Sequence, residues 1–149
     1  MDGDAETHEG GCHCGAIRYR TTGMPAKTAV CHCRDCQLRT GSAFGVSVYF
    51  DSDRIEILQG VPRGYHFQSE SGRSFATQFC PECGTTLMWV LELFPGRTGV
   101  AGGTFDPPSF WYDVGREVFT RSRAPFAVLG LPDSSETSSS YAPCAAETP

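Results

Sequence analysis

Seven of the chain's eight cysteines fall in three tight clusters, and that spacing constrains the fold more than any other feature. The first cluster is Cys12-His13-Cys14-Gly15, the second Cys31-His32-Cys33-Arg34-Asp35-Cys36, and the third Cys80-Pro81-Glu82-Cys83-Gly84. Thiolates this close in sequence reach one tetrahedral zinc ion together, at a zinc–sulfur distance of about 2.3 Å. Disulfides are the competing reading. An odd number of clustered cysteines, strained pairings between near neighbours and an acidic start without an apolar leader count against them. A glycine follows Cys14 and another follows Cys83. Both positions suit knuckles where the chain turns at positive φ and backbone N–H groups approach sulfur.

Seven thiolates divide into four and three. A closed site takes four protein ligands and is structural, whereas three ligands leave a position for water or substrate. The run of Cys31, Cys33 and Cys36 can supply three ligands by itself. Cys12 and Cys14 then pair with Cys80 and Cys83 across a long loop. Spacing also permits Cys12, Cys14, Cys31 and Cys33 on one metal. Cys144 stands alone near the end and reads as a free thiol.

A chain of 149 residues is one domain's worth of sequence. Its seventeen Gly and ten Pro favour turns and short strands over long helices. The expected fold class is mainly β, with small antiparallel sheets organised around two Cys-ligated zinc sites. Residues 1–10 are expected to be flexible, 11–130 to form the zinc domain, and the Ser/Pro-rich residues 131–149 to be a disordered tail. Apolar alternation places strands near 16–21, 44–50, 55–57, 65–69, 73–79, 85–93, 98–105 and 116–121, with a helical turn at 35–40. A formal net charge of -5 argues against coating a nucleic-acid duplex, which needs Lys and Arg at phosphates. No apolar run is long enough to span a membrane. The expected partner is a small-molecule substrate, with no nucleic acid and no membrane; oligomeric state has no signature here. Unpaired thiols fit a cytoplasmic protein.

Three segments, GGCHCGAIRY, VCHCRDCQLRTGSAF and FCPECGTTL, occur in that order and at separations that resemble the glutathione-dependent formaldehyde-activating enzyme (GFA) and centromere protein V domain family. GGTFDPP is similar to a further family segment, and the resemblance covers residues 10–128. It implies a Mss4-like, GFA-type β fold with two zinc ions as cofactors. By the same resemblance, Cys12, Cys14, Cys80 and Cys83 hold a structural zinc, and Cys31, Cys33 and Cys36 hold a catalytic one. The implied activity is that of a carbon–sulfur lyase, joining formaldehyde to glutathione as S-(hydroxymethyl)glutathione, with glutathione as a candidate co-substrate. Members often carry a Trp after the last strand region, where this chain has Phe119 and Phe126, so its substrate pocket departs from the pattern. The alternatives are a glutathione-independent lyase or hydrolase acting on a secondary metabolite, and a non-catalytic zinc-scaffolded binding domain. The acidic N-terminus and acidic, Ser-rich tail lack the basic segments expected of chromatin- or microtubule-binding relatives.

Residues beside the second cluster are the candidates for substrate contact. His32 lies between two ligands and can carry a proton. Arg34 and Arg39 flank the cluster and can offset thiolate charge or meet a carboxylate. Ser42, with Gln37, Thr40 and Gly41, offers small polar groups to an anionic substrate. Asp106 precedes Pro107 and reads as turn chemistry. Phe44, Tyr65, Phe67, Phe75, Trp89, Phe105 and Trp111 read as core, with one or two lining a pocket.

Overall fold

The computed structural model describes residues 5–138. Cys144 lies outside them. Among the described residues eleven strands form two sheets. A three-stranded antiparallel sheet has the order β1 (Thr7–Gly11), β2 (Arg18–Thr22) and β5 (Ile55–Gln59). An eight-stranded sheet has the order β11 (Asp133–Ser134), β10 (Arg116–Val118), β3 (Lys27–Cys31), β4 (Gly45–Asp51), β9 (Arg97–Ala101), β8 (Thr86–Leu91), β7 (Ser74–Phe79) and β6 (Arg63–Gln68). From β3 to β6 every pairing is antiparallel, whereas β10 pairs in parallel with both β3 and β11. The one α-helix among the described residues, α1 (Arg34–Thr40), carries Cys36 inward.

Alternation along the strands sorts side chains onto two faces. On β2, Ile17 just before the strand and then Tyr19 and Thr21 are buried. On β4, Val48 and Phe50 join Tyr19, Val100, Phe105 and Tyr112 in the main core. Each such fully buried large side chain contributes roughly 1.5–3 kcal/mol by leaving water. Ser47 and Tyr49 face the other way. There Tyr49, Trp89 and Ala101 make a second cluster with Phe75, Leu91 and Phe94 packed on it. The two faces of the eight-stranded sheet therefore have separate tasks: one is core, the other is the wall of a pocket.

Two boundaries differ from the sequence expectation. Thr7–Gly10, within the start expected to be flexible, joins Gly11 as strand β1 in register with β2. Its pairing uses backbone groups and asks little of the polar side chains. In the C-terminal segment, Asp133–Ser134 pairs with β10, and the backbone N–H groups of Phe119, Thr120 and Arg121 donate to the carbonyls of Thr137, Ser135 and Glu136. Main-chain bonding of this kind leaves no apolar pattern to read. Lys27–Cys31 also forms a strand, β3, that alternation did not reveal.

Candidate metal centres and the adjoining pocket

The fold gathers the clustered sulfurs into two groups. Cys12, Cys14, Cys80 and Cys83 lie with their sulfur atoms within 4.8 Å of one another, and Cys31, Cys33 and Cys36 do the same. Cys12, Cys14, Cys31 and Cys33 are not brought together. The Cys12–Cys14 and Cys14–Cys80 sulfur separations are 3.6 and 3.7 Å. A tetrahedron with zinc–sulfur bonds of about 2.3 Å has edges of about 3.8 Å. A disulfide is about 2.0 Å long. The donor set and its spacing therefore fit a dication.

The four-sulfur group is built from two knuckles of matching design. Cys12 N–H donates to Ile17 O and Gly15 N–H to Cys12 O; Cys80 N–H donates to Thr85 O and Gly84 N–H to Cys80 O. Gly15 at φ 83° and Gly84 at φ 80° make the turns in a region that costs residues with a Cβ. Ile17 N–H and Glu82 N–H donate to the sulfurs of Cys12 and Cys80 at 3.2 and 3.4 Å. The Thr85 hydroxyl, 3.2 Å from Cys83 Sγ, heads the causes that draw this thiol down to about 5. Cys14 and Cys83 are exposed, while Cys12 and Cys80 are buried.

The three-sulfur group is buried throughout and comes from one short stretch. Cys31 ends β3. Cys33 caps α1, its sulfur accepting from Cys36 N–H at 3.4 Å. Hydrogen bonding from the thiols of Cys31 and Cys33, aided by the Arg39 charge, holds Cys36 well below the usual thiol range. The same contacts from Cys33 and Cys36, with burial, push Cys31 well above it. The Arg39 guanidinium also stacks 4.2 Å from the Trp89 ring centre.

His32 turns away from the sulfurs. It is fully buried, with Nε2 2.8 Å from Glu117 Oε1, and Glu117 is itself buried and 3.6 Å from the Arg123 guanidinium. Its backbone is held as well: His32 N–H donates to Val118 O, and Gln37 Nε2 donates to both His32 O and Ser122 O. His32 thus pins the cysteine loop to β10. Arg34 is exposed, and its N–H donates to Glu70 Oε2. Ser42 is exposed and donates its N–H to the Thr40 hydroxyl, outside the pocket. Asp106 is claimed by Arg18 in a two-point ion pair, which holds its carboxyl below the usual range.

A pocket of about 110 Å³ opens beside the three sulfurs, room for a small molecule. Lys27, Ala29 and Cys31 of β3 and Ser47 and Tyr49 of β4 form its floor. Phe75, Trp89, Leu91, Phe94 and Phe119 form its walls. Trp89 Nε1 donates to the Tyr49 hydroxyl at 3.1 Å. The indole can lie there because Gly99 has no side chain; a Cβ at that position meets its ring. At the mouth, Asp35 Oδ2 accepts from Glu70 N–H at 3.0 Å and Glu70 accepts from Arg34 N–H and Arg121, a reciprocal clasp between α1 and the β6–β7 turn. Burial, then the nearby Cys33 and Glu70, raise Asp35 to about 6. A second groove, lined by Leu38, Arg39, Tyr65 and Phe67, shares Asp35, Cys36 and Phe75 with this pocket.

Phe119, tied to the substrate pocket by the family resemblance, does line it. The pocket residues Lys27 and Glu70 and the buried partner Glu117 escaped the sequence reading. Each acts through a neighbour far along the chain. Only the alternation of Lys27, Ala29 and Cys31 could have pointed to a shared face.

A profile of the glutathione-dependent formaldehyde-activating enzyme family matches residues 7–122. A Halomonas elongata protein, provisionally named a glutathione-dependent formaldehyde-activating enzyme, is 29% identical over 89 residues, covering 56% of this chain and 55% of that protein. The chain thus spans about half the length of this curated relative. A crystal structure of a Rhodobacter sphaeroides protein superposes with a TM-score of 0.54 at 19% identity, covering 71% of this chain and 97% of the other, which shows the shared fold. With seven cysteines gathered as four and three and the profile running across both groups, the chain belongs to the glutathione-dependent formaldehyde-activating enzyme family.

Proposed function

We propose that this protein is a zinc-dependent enzyme of the carbon–sulfur lyase type, making or breaking the bond between a thiol sulfur and the carbon of a small electrophile. One observation carries the reading: a buried group of three thiols, one ligand short of a closed site, opens directly onto a pocket. Cys12, Cys14, Cys80 and Cys83 would hold a structural zinc, and Cys31, Cys33 and Cys36 a catalytic one. When bound at the three sulfurs, zinc supplies Lewis acidity and an affinity for thiolate at a vacant position. The chain supplies the rest. Arg39 and the Cys36 N–H offset the negative charge of three thiolates, which otherwise weakens a metal as an electrophile. Trp89, Leu91 and Phe94 exclude water, so hydrolysis and dissociation of a labile adduct compete less. S-(hydroxymethyl)glutathione is the adduct the family name points to. A reading without glutathione is favoured by the apolar character of the pocket walls. A purely structural binding domain leaves the open sulfurs and their pocket unexplained.

The test joins metal content to exchange kinetics. Mass spectrometry is expected to find two zinc ions per wild-type chain and one in Cys36→Ser. NMR exchange spectroscopy with ¹³C-formaldehyde and a thiol is expected to show faster adduct exchange with wild type only. One zinc in the wild type, or no acceleration with glutathione or any simple thiol, would move the assignment to a zinc-scaffolded binding domain.

A further inference from the structure

The residues that line the pocket along β3 are Lys27, Ala29 and Cys31, alternate positions that share one face of the strand. They run opposite Tyr49, Ser47 and Gly45 of β4 in register. The middle of this floor is made of small side chains, Ala29 and, opposite it, Ser47. At one end of the resulting slot stand the three sulfurs. At the other stands a single ammonium, because four residues of extended strand separate Lys27 from Cys31 by about 13 Å.

That ammonium is set for a ligand. Among the described residues no carboxylate lies within ion-pair distance of Lys27, although the other end of the pocket has Asp35 and Glu70. Its Nζ sits 4.3 Å from the ring centre of Phe94, itself a wall of the slot. Partial burial, then the nearby Arg116 and Arg97, draws its pKa down; Arg97 is itself paired with Asp51, so a bound anion would meet Lys27. Between the two ends, Trp89, Leu91 and Phe119 are apolar and the indole N–H is already given to Tyr49, so the Ser47 hydroxyl is the polar side-chain group at mid-floor, while Ser69 and Ser71 line the Glu70 end and bond to each other. A tripeptide with two carboxylates, an ammonium and two peptide units would leave several polar groups unmatched there, at about 1–3 kcal/mol each.

Taking the three-sulfur group as the reacting end, as proposed above, we infer that the slot accepts a ligand with an apolar body, one carboxylate held by Lys27, and its thiol or carbonyl at the sulfurs. The substrate class is therefore an apolar carboxylic acid carrying a terminal reactive group, in preference to free glutathione.

Calorimetric titration of the zinc-loaded protein tests this with four probes: 6-mercaptohexanoate, its neutral counterpart 6-mercaptohexanol, hexanoate, and glutathione. The acid is expected to bind about tenfold more tightly than the alcohol, the scale of one charge-assisted contact. That advantage should vanish in Lys27→Met and Lys27→Gln and persist in Lys27→Arg. Glutathione should bind more weakly than 6-mercaptohexanoate. Equal binding of acid and alcohol, an advantage that survives loss of the ammonium in the folded variants, or glutathione binding as tightly as the acid would overturn the inference. Hexanoate separates the two readings. If it binds through Lys27 but a terminal thiol adds nothing, the slot stands and thiol chemistry at the sulfurs fails.

Discussion

The two sulfur groups use the same ligand chemistry in opposite settings. The four-sulfur group joins loops 66 residues apart between Cys14 and Cys80, and half of its members are exposed. The three-sulfur group lies within a single turn of chain and is wholly buried. On the proposed function, exposure is a poor guide to reactivity here. What matters is whether the coordination shell is complete and whether a pocket meets it. The half-exposed group has four sulfurs and two self-contained knuckles. The buried group has three sulfurs and opens onto a largely apolar slot. Sequence separation divides them in energy as well: cross-linking distant loops stabilises the fold, whereas three ligands from one segment mainly order that segment.

The sharpest way to break this contrast is Cys80→Ser. Structural zinc in small domains contributes about 10–16 kcal/mol, comparable to the whole stability of a domain. The variant is expected to lose its cooperative thermal transition by circular dichroism. Cys36→Ser is expected to lower turnover by about 100-fold or more while shifting the transition by only a few degrees. Equal destabilisation by both variants would mean that both groups are structural. Glu117→Ala leaves a buried hydrogen-bonding group of His32 without its partner and should cost about 1–3 kcal/mol in chemical denaturation. That loss should come with weaker zinc retention at the three-sulfur group, measured by chelator competition, and no change at the four-sulfur group. Gly99→Ala drives a methyl into the Trp89 ring and should cost about 1–3 kcal/mol, with weaker ligand binding in the slot. Asp106→Ala is the smallest, at about 0.5 kcal/mol or less near neutral pH, because the Arg18 pair is partly solvent-screened. Its sign is fixed by the lowered Asp106 pKa. The contribution is present above the ordinary carboxylate value and is lost as pH falls through the folded value, so wild type and variant should converge in acid.

The sulfurs were legible because cysteine spacing is local. The four-and-three grouping was one of two partitions that spacing allowed, and the fold realises it. Strands with an apolar core face were legible as well; the burial of Ile17 and Tyr19 follows the alternation around 16–21. Strand β3 was not, because the face it shows to the pocket carries Lys27 and Ala29, and neither reads as core. Lys27 resembles any surface lysine until Phe94, 67 residues on, is found beneath it. His32 lies between two clustered cysteines, a position that suggests substrate contact or a supporting role without telling them apart. Its partner Glu117 is 85 residues away, and a parallel pairing of β10 with β3 brings the two together. Segment 133–137 joins through backbone atoms, which leave no trace in side-chain pattern.

The small-residue floor of the slot bears on how such a protein can diverge. Ala29 and Ser47 lie side by side across β3 and β4, and neither belongs to the sulfur groups. A single mutation from Ala29 to a branched residue would divide the slot into a shorter chamber, with the seven cysteines untouched. Substrate length in this scaffold can therefore drift one residue at a time under selection, while the inorganic chemistry stays fixed. Such a lineage keeps one cysteine signature across many metabolic roles.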